Sequence, residues 1–221
     1  MPSSPRPLVL VQQATVTAGS KTLLGAIDLQ LDAGQLLVIE GPTGCGKTTL
    51  IKVLAGLIEA SAGYAEVATV PLRPLPKSSA PKLRRKLGIV TQQPRFLDDS
   101  TVLENVALPL RIQGVPGSEC SARGTKALLD AGLAGNALKK PMQLSGGEQA
   151  RLQIARALIH QPLLVLADEP FAHLDSDSVT AAEELFHWAH SIGTTVLITT
   201  HRPTALAARG TKLQMKSGRF V

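Results

Sequence analysis

The sequence predicts an α/β fold built on a parallel sheet, and three observations carry that prediction. Short apolar runs at Gln35–Glu40, Leu163–Ala167 and Thr194–Ile198 read as buried strands. The first runs into a glycine-rich loop, Gly41–Thr48, that opens a stretch of helical spacing. The other two are joined by a helical stretch, Ala181–His190, which makes a βαβ unit. A chain of 221 residues has room for one large α/β domain, or for such a core with a small appended subdomain.

Each further element follows from its local pattern. Leu8–Thr17 and Ile27–Leu31 alternate apolar and polar residues, as half-buried strands do, and Ala18-Gly19-Ser20-Lys21 between them reads as a turn. Thr48–Leu57 carries Leu50, Ile51 and Leu54 at helical spacing, with Gly56 as its stop. Residues 71–82 contain Pro71, Pro74, Pro76 and Pro81 and read as a breaker-rich connection. Gly88–Thr91 is a short strand that runs into Gln92-Gln93-Pro94. From Thr101 to about Ala157 the pattern is mainly helical, interrupted at Gly114–Ser118 and Lys139–Gln143.

Composition narrows the class. A 44% hydrophobic share with 18% charge fits a globular chain with a sizeable core. No apolar run approaches the roughly 18 residues of a membrane-spanning helix. The Pro-rich start, Met1–Pro7, lacks the apolar stretch of a secretory signal, which points to the cytoplasm. Of the two cysteines, Cys45 lies inside the glycine-rich loop, so a structural disulfide is not expected. A net charge of +6 favours anionic ligands and surfaces, with the densest basic cluster at Lys82–Lys86. Aromatic residues make up 3%, too few for a single-strand base-stacking platform, and no nucleic acid is expected as a partner.

The chemistry concentrates in three places. Gly41-Pro42-Thr43-Gly44-Cys45-Gly46-Lys47-Thr48 fits G-x-x-x-x-G-K-[ST], a loop whose backbone N–H groups cradle phosphates at a helix N-terminus. Lys47 neutralises phosphate charge, the Thr48 hydroxyl can ligate Mg²⁺, and Thr49 lies beside them. Asp168-Glu169 follows the strand Leu163–Ala167 directly, at the carboxyl end where ligands gather in parallel sheets. There Asp168 is placed to hold Mg²⁺ through water and Glu169 to polarise an attacking water as general base. Finally, Leu144-Ser145-Gly146-Gly147-Glu148-Gln149 reads both as a capping box, S-x-x-E, and as an anion nest. Capping leaves the doubled glycine unexplained, since each glycine costs chain entropy.

Together these residues resemble the ATP-binding-cassette (ABC) ATPases over nearly the whole chain. Gly41–Thr48 is similar to the Walker A loop, Leu163–Asp168 to Walker B, and Leu144–Gln149 to the signature. Gln92 stands where the Q-loop glutamine is expected, Leu174-Asp175 resembles the D-loop, and His201 the switch histidine. The resemblance implies a P-loop NTPase fold: a RecA-like parallel-sheet core over 1–92 and 158–221, an N-terminal antiparallel β subdomain, and an α-helical subdomain inserted at about 93–157. It also implies an ATPase that binds ATP with Mg²⁺ as a head-to-tail homodimer. Each ATP would lie between one copy's Gly41–Thr49 and the other's Ser145, Gly146, Gly147 and Glu148, with Asp175 nearby. His201 would contact the γ-phosphate, while Gln92 would reach Mg²⁺ and the attacking water.

Within the family, Leu83–Gly88 and Thr101–Leu110 are most similar to the cell-division group FtsE, with the lipoprotein-releasing LolD and efflux MacB groups close to it. That similarity implies an integral membrane partner, permease-like or FtsX-like, and a cytoplasmic location on the inner face of the membrane. The segment Arg95-Phe96-Leu97-Asp98-Asp99 offers apolar anchors with charged flanks for such a partner. A soluble cassette acting on DNA or ribosomes, or a regulatory low-turnover one, is the alternative. Three features depart from the pattern. Val16 lies about where the family has an adenine-stacking aromatic, Phe171-Ala172-His173 replaces a Thr-Gly-Asn, and Ala150 stands where a glutamine commonly follows the signature.

Overall fold

The computed structural model describes residues 6–76 and 78–221, so most of the Pro-rich start lies outside the described residues. Strands β1 (Val9–Ala18) and β2 (Lys21–Leu31) pair antiparallel, and β4 (Ala62–Val67) and β5 (Val70–Pro71) extend the sheet in the order β2-β1-β4-β5. β2 begins six residues before the sequence pattern suggests, at Lys21 and not Ile27. The alternation is broken there by Ala26, whose φ is 51°, and by register shifts of β1 between Val11 and Thr17. An extra residue in one strand turns its neighbours to the opposite face, which erases the period of two.

The second sheet contains β3 (Leu36–Glu40), β6 (Leu87–Val90), β7 (Leu164–Asp168), β8 (Thr195–Thr200), β9 (Thr211–Lys216) and β10 (Arg219–Phe220), in the order β10-β9-β3-β8-β7-β6. All pairs are parallel except β10 with β9. Every residue of β7 and β8 is buried, as strands covered on both faces require. One face packs on α1 (Lys47–Leu54) and the first sheet, the other on α5 (Gly146–Leu158) and α6 (Ser176–Ser191). Because the strands run the same way, β3, β6, β7 and β8 all end along one edge, and that edge carries the site.

Helices α3 (Val102–Ile112), α4 (Gly117–Asp130) and α5 close a separate apolar cluster around Val106, Leu110, Cys120, Leu128 and Leu152. A short helix, α2 (Ser79–Arg84), interrupts the breaker-rich stretch, with Pro81 in its first turn where no N–H is needed. At the head of α3, Thr101 and Glu104 form a reciprocal capping box. Asn105 is fully buried behind it, accepting from the Leu97 N–H at 2.8 Å and donating to the carbonyls of Leu97 and Thr101, each at 3.0 Å. Asn105→Ala will leave these groups unpaired, at about 1–3 kcal/mol for each that stays buried. Thermal unfolding should show the loss, with faster amide exchange across 97–101. Among the described residues, no helix is long and apolar enough to cross a membrane.

Candidate functional site

Glycines shape the loop between β3 and α1. Gly44 and Gly46 take φ of 81° and 114°, open to glycine without strain, and Gly46 is the N-cap of α1. A Cβ on Gly41 would stand 2.2 Å from the Met215 carbonyl oxygen, so no side chain fits where the loop leaves the sheet. Cys45 turns its thiol inward, with the residue only 5% exposed in the apolar core, and it contributes backbone alone to the loop surface. Lys47 is buried as well, and each of its three protons has an acceptor. Its Nζ donates to Gly41 O at 2.7 Å and Pro42 O at 3.1 Å, and lies 3.0 Å from Glu169 Oε1.

Glu169 sits just past β7 with φ of 49°, held by its N–H donating to Thr199 O at 2.9 Å. Its second oxygen accepts from the His201 N–H at 3.1 Å and lies 2.7 Å from His201 Nδ1. The carboxylate is thereby suspended between a lysine on α1 and a histidine beyond β8, with its side chain 9% exposed. Asp168 is buried one residue back, its Oδ1 accepting from the Thr199 hydroxyl at 2.8 Å. Thr199 is a member of the site that sequence reasoning missed. Its signal is a hydroxyl at the carboxyl end of a buried strand, two residues before His201.

Lys47, Glu169 and His201 border one cleft of about 520 Å³. Of the residues expected from the sequence it gathers Thr43, Gly44, Gly46, Lys47, Thr48, Thr49, Gln92, Glu169 and His201. Gly41, Pro42, Cys45 and Asp168 are not among its lining residues. Two further contributors carry no motif: Lys21–Leu23 from the β1–β2 hairpin, and Ser217-Gly218 from the turn before β10. Val16, expected near the nucleobase, is instead 5% exposed within the first sheet's core, and the cleft edge belongs to the hairpin.

Ser145, Gly146, Gly147, Glu148 and Asp175 do not reach this cleft. Ser145 caps α5, accepting from the Glu148 N–H, while Glu148 accepts from the Ser145 N–H at 2.8 Å and from the Asn136 amide at 2.8 Å. The Ser145 N–H holds the Glu148 carboxyl below its ordinary value; burial opposes this and the Asn136 bond adds to it. Asp175 caps α6 through the Ser178 N–H at 2.8 Å. The doubled glycine resolves into two jobs. A Cβ on Gly147 would fall 2.1 Å from Ser178 Oγ, so Gly147 lets α5 abut the start of α6, whereas Gly146 faces open space. Phe171 turns into the core and meets Phe186 edge-on at 6.0 Å. A smaller opening, about 180 Å³, joins Gln92 to Gly146, Ala150 and His173.

A lysine-bearing glycine loop, two carboxylates at a strand end and a histidine just past the neighbouring strand make an arrangement suited to binding phosphate and activating water. The ABC transporter family profile matches residues 24–172. The chain is 41% identical over 178 residues to the cell division ATP-binding protein FtsE of Haemophilus influenzae, covering 80% of this chain and 82% of that one. It is 34% identical to the lipoprotein-releasing system ATP-binding protein LolD of Bacteroides fragilis, over 97% of this chain and all of that one. Among solved structures it resembles the dimeric cassette MJ0796, with a TM-score of 0.89 and 31% identity over 96% of each chain. The post-hydrolysis form of that cassette, bound to ADP and Pi, gives 0.88 and 32% over 96% of each. The chain belongs to the ABC transporter family, as one of its ATP-hydrolysing cassettes.

Proposed function

We propose that two copies of this chain close head to tail on ATP, hydrolyse it, and pass the motion to an integral membrane partner of the permease-like or FtsX-like kind. One observation carries the reading. The cleft assembles Lys47, Gln92, Glu169 and His201, while Ser145 and Gly146 stand exposed at the head of another helix, outside it. A second copy could bring Ser145–Glu148 over the triphosphate, with Asp175 at the seam. Helix N-termini suit this task because their free N–H groups attract anions.

In this scheme Gly41–Thr49 holds the phosphates and Lys47 offsets their charge. Glu169 accepts a proton from the attacking water, and His201 orients toward the γ-phosphate. The residues present suit Mg²⁺. Thr48, Asp168 and Gln92 supply only oxygen donors, and Thr199 engages one oxygen of Asp168, leaving the other for a metal-bound water. Mg²⁺ would neutralise phosphate charge when bound with the nucleotide. The helical unit at about 93–157 serves as the lever, since Gln92 and the start of α5 border the same small opening.

The partner is placed beside the segment that follows Gln92. Arg156 lies over the Phe96 ring at 4.9 Å, and Leu97 is exposed. A groove of about 400 Å³ next to them is lined by Arg84, Arg85, Leu108, Pro109, Ile112 and Arg156. Apolar floor and basic rim suit a short amphipathic helix. Such docking would hold the chain at the inner face of the membrane.

The dimer supplies the test. In a slow-turnover background, ATP should convert the monomer to a dimer in size-exclusion chromatography with light scattering. Ser145→Arg, which puts a bulky side chain on the exposed cap, should abolish that conversion while single-copy nucleotide binding persists. Full dimerisation of the Ser145→Arg protein would remove Ser145 from the seam.

A further inference from the structure

The cleft is built in detail for phosphate, and among the described residues no Phe, Tyr or Trp lines it to receive a flat base. All six aromatic residues of the chain, four Phe, one Tyr and one Trp, are placed elsewhere. Phe96 lies under Arg156, and Phe171 and Phe186 meet in the core. Tyr64 donates to Glu66 on β4, Phe220 packs against the first sheet's core, and Trp188 stands on α6. Stacking a base on an aromatic ring strengthens binding by roughly five- to 150-fold. That gain, which depends on the size of the base, has no source in this cleft.

Hydrogen bonding does not replace it. Beyond the phosphate loop the walls come from Lys21, Thr22, Leu23, Ser217 and Gly218. The backbone of Gly218 is already paired inside the protein: its N–H donates to Cys45 O at 2.7 Å, and its carbonyl accepts from Gly25 at 2.9 Å. The polar side-chain groups of these walls are an ammonium and two hydroxyls. A hydroxyl rotates to give or accept, so Thr22 and Ser217 serve the amino edge of one base as readily as the keto edge of another. Discrimination between bases needs a fixed donor or acceptor that the wrong base leaves unpaired.

We propose that this site selects nucleoside triphosphates as a class, reading the triphosphate and not the base, and so takes GTP, CTP and UTP alongside ATP. The proposal rests on the reading of this cleft as the nucleotide site. It concerns what that site accepts, and the geometry of the phosphate end is unaffected by it.

The test is displacement of a ribose-labelled fluorescent ATP analogue from the full chain by ATP, GTP, CTP and UTP, with Mg²⁺ present. Phosphate release from each unlabelled nucleotide is followed in parallel. The four dissociation constants, and the four kcat/KM values, should agree within about fivefold, because no ring separates purine from pyrimidine. CTP and UTP binding weaker than ATP by more than about thirtyfold would overturn the proposal, since that is the scale of a base that is read. Failure of ATP itself to displace the analogue would bring down the reading of the cleft, and the proposal with it. The two failures are therefore told apart by the ATP curve alone.

Discussion

Glu169→Gln protein will bind ATP and turn it over at least about a hundredfold more slowly than the parent, the scale of a lost general base. The substitution keeps the shape of the side chain and an oxygen able to accept from the His201 N–H, a bond of 3.1 Å in the parent. What it removes is the capacity to take a proton from water. It also removes the negative partner 3.0 Å from Lys47 Nζ, so the lysine meets an incoming phosphate without a competing carboxylate. ATP affinity should hold or rise as kcat falls, a split that general misfolding does not produce. Phosphate release and equilibrium binding on the same preparation check both halves. Near-parental turnover would move the base to another residue.

Lys47→Ala should be the most damaging single change to the fold as well as to binding. The Lys47–Glu169 pair is almost dry, with side chains 4% and 9% exposed. Removing one member of such a pair costs on the order of 3–5 kcal/mol, because the charge left behind stays desolvated. For a chain of this size that corresponds to a fall in Tm of about 10 °C. The double variant, Lys47→Ala with Glu169→Gln, should regain much of the loss, since a neutral amide tolerates the same burial. Its nucleotide affinity should stay as low as in Lys47→Ala alone. Thermal unfolding of the parent, both single variants and the double yields the coupling between them. Strict additivity would mean that the ion pair does not support the fold.

The parts of this molecule that were legible in its sequence are those written by neighbours along the chain. β3, the loop Gly41–Thr48 and α1 are contiguous, as are β7 and Asp168-Glu169, so their motifs carried both position and chemistry. The strand order then brought Gln92, Glu169 and His201 to one edge, which follows once the strands are known to be parallel. Elements near the sheet margins were harder to read. β4 begins exposed at Ala62 and Gly63, β9 is flanked on its outer side only by the two-residue β10 and exposes two lysines, and α2 sits among prolines. Neither strand buries enough to write a period, and proline-rich composition masked the helix. Lys21–Leu23, Thr199 and Ser217-Gly218 reach the site across the sheet from positions with no motif. The packing role of Gly147 was not legible for a related reason: the neighbour it makes room for, Ser178, lies in another helix.

That glycine has a mechanical consequence. Because Gly147 has no side chain, the starts of α5 and α6 come so close that a Cβ there would overlap Ser178, and a push on one helix start would bear on the other. In the proposed closed pair, force applied at Ser145 by the second copy would pass to Asp175, on the same stretch of backbone that leads back to Glu169. The two reaction centres of a closed pair would be yoked through a single touch of van der Waals surfaces, and the timing of one would be felt by the other.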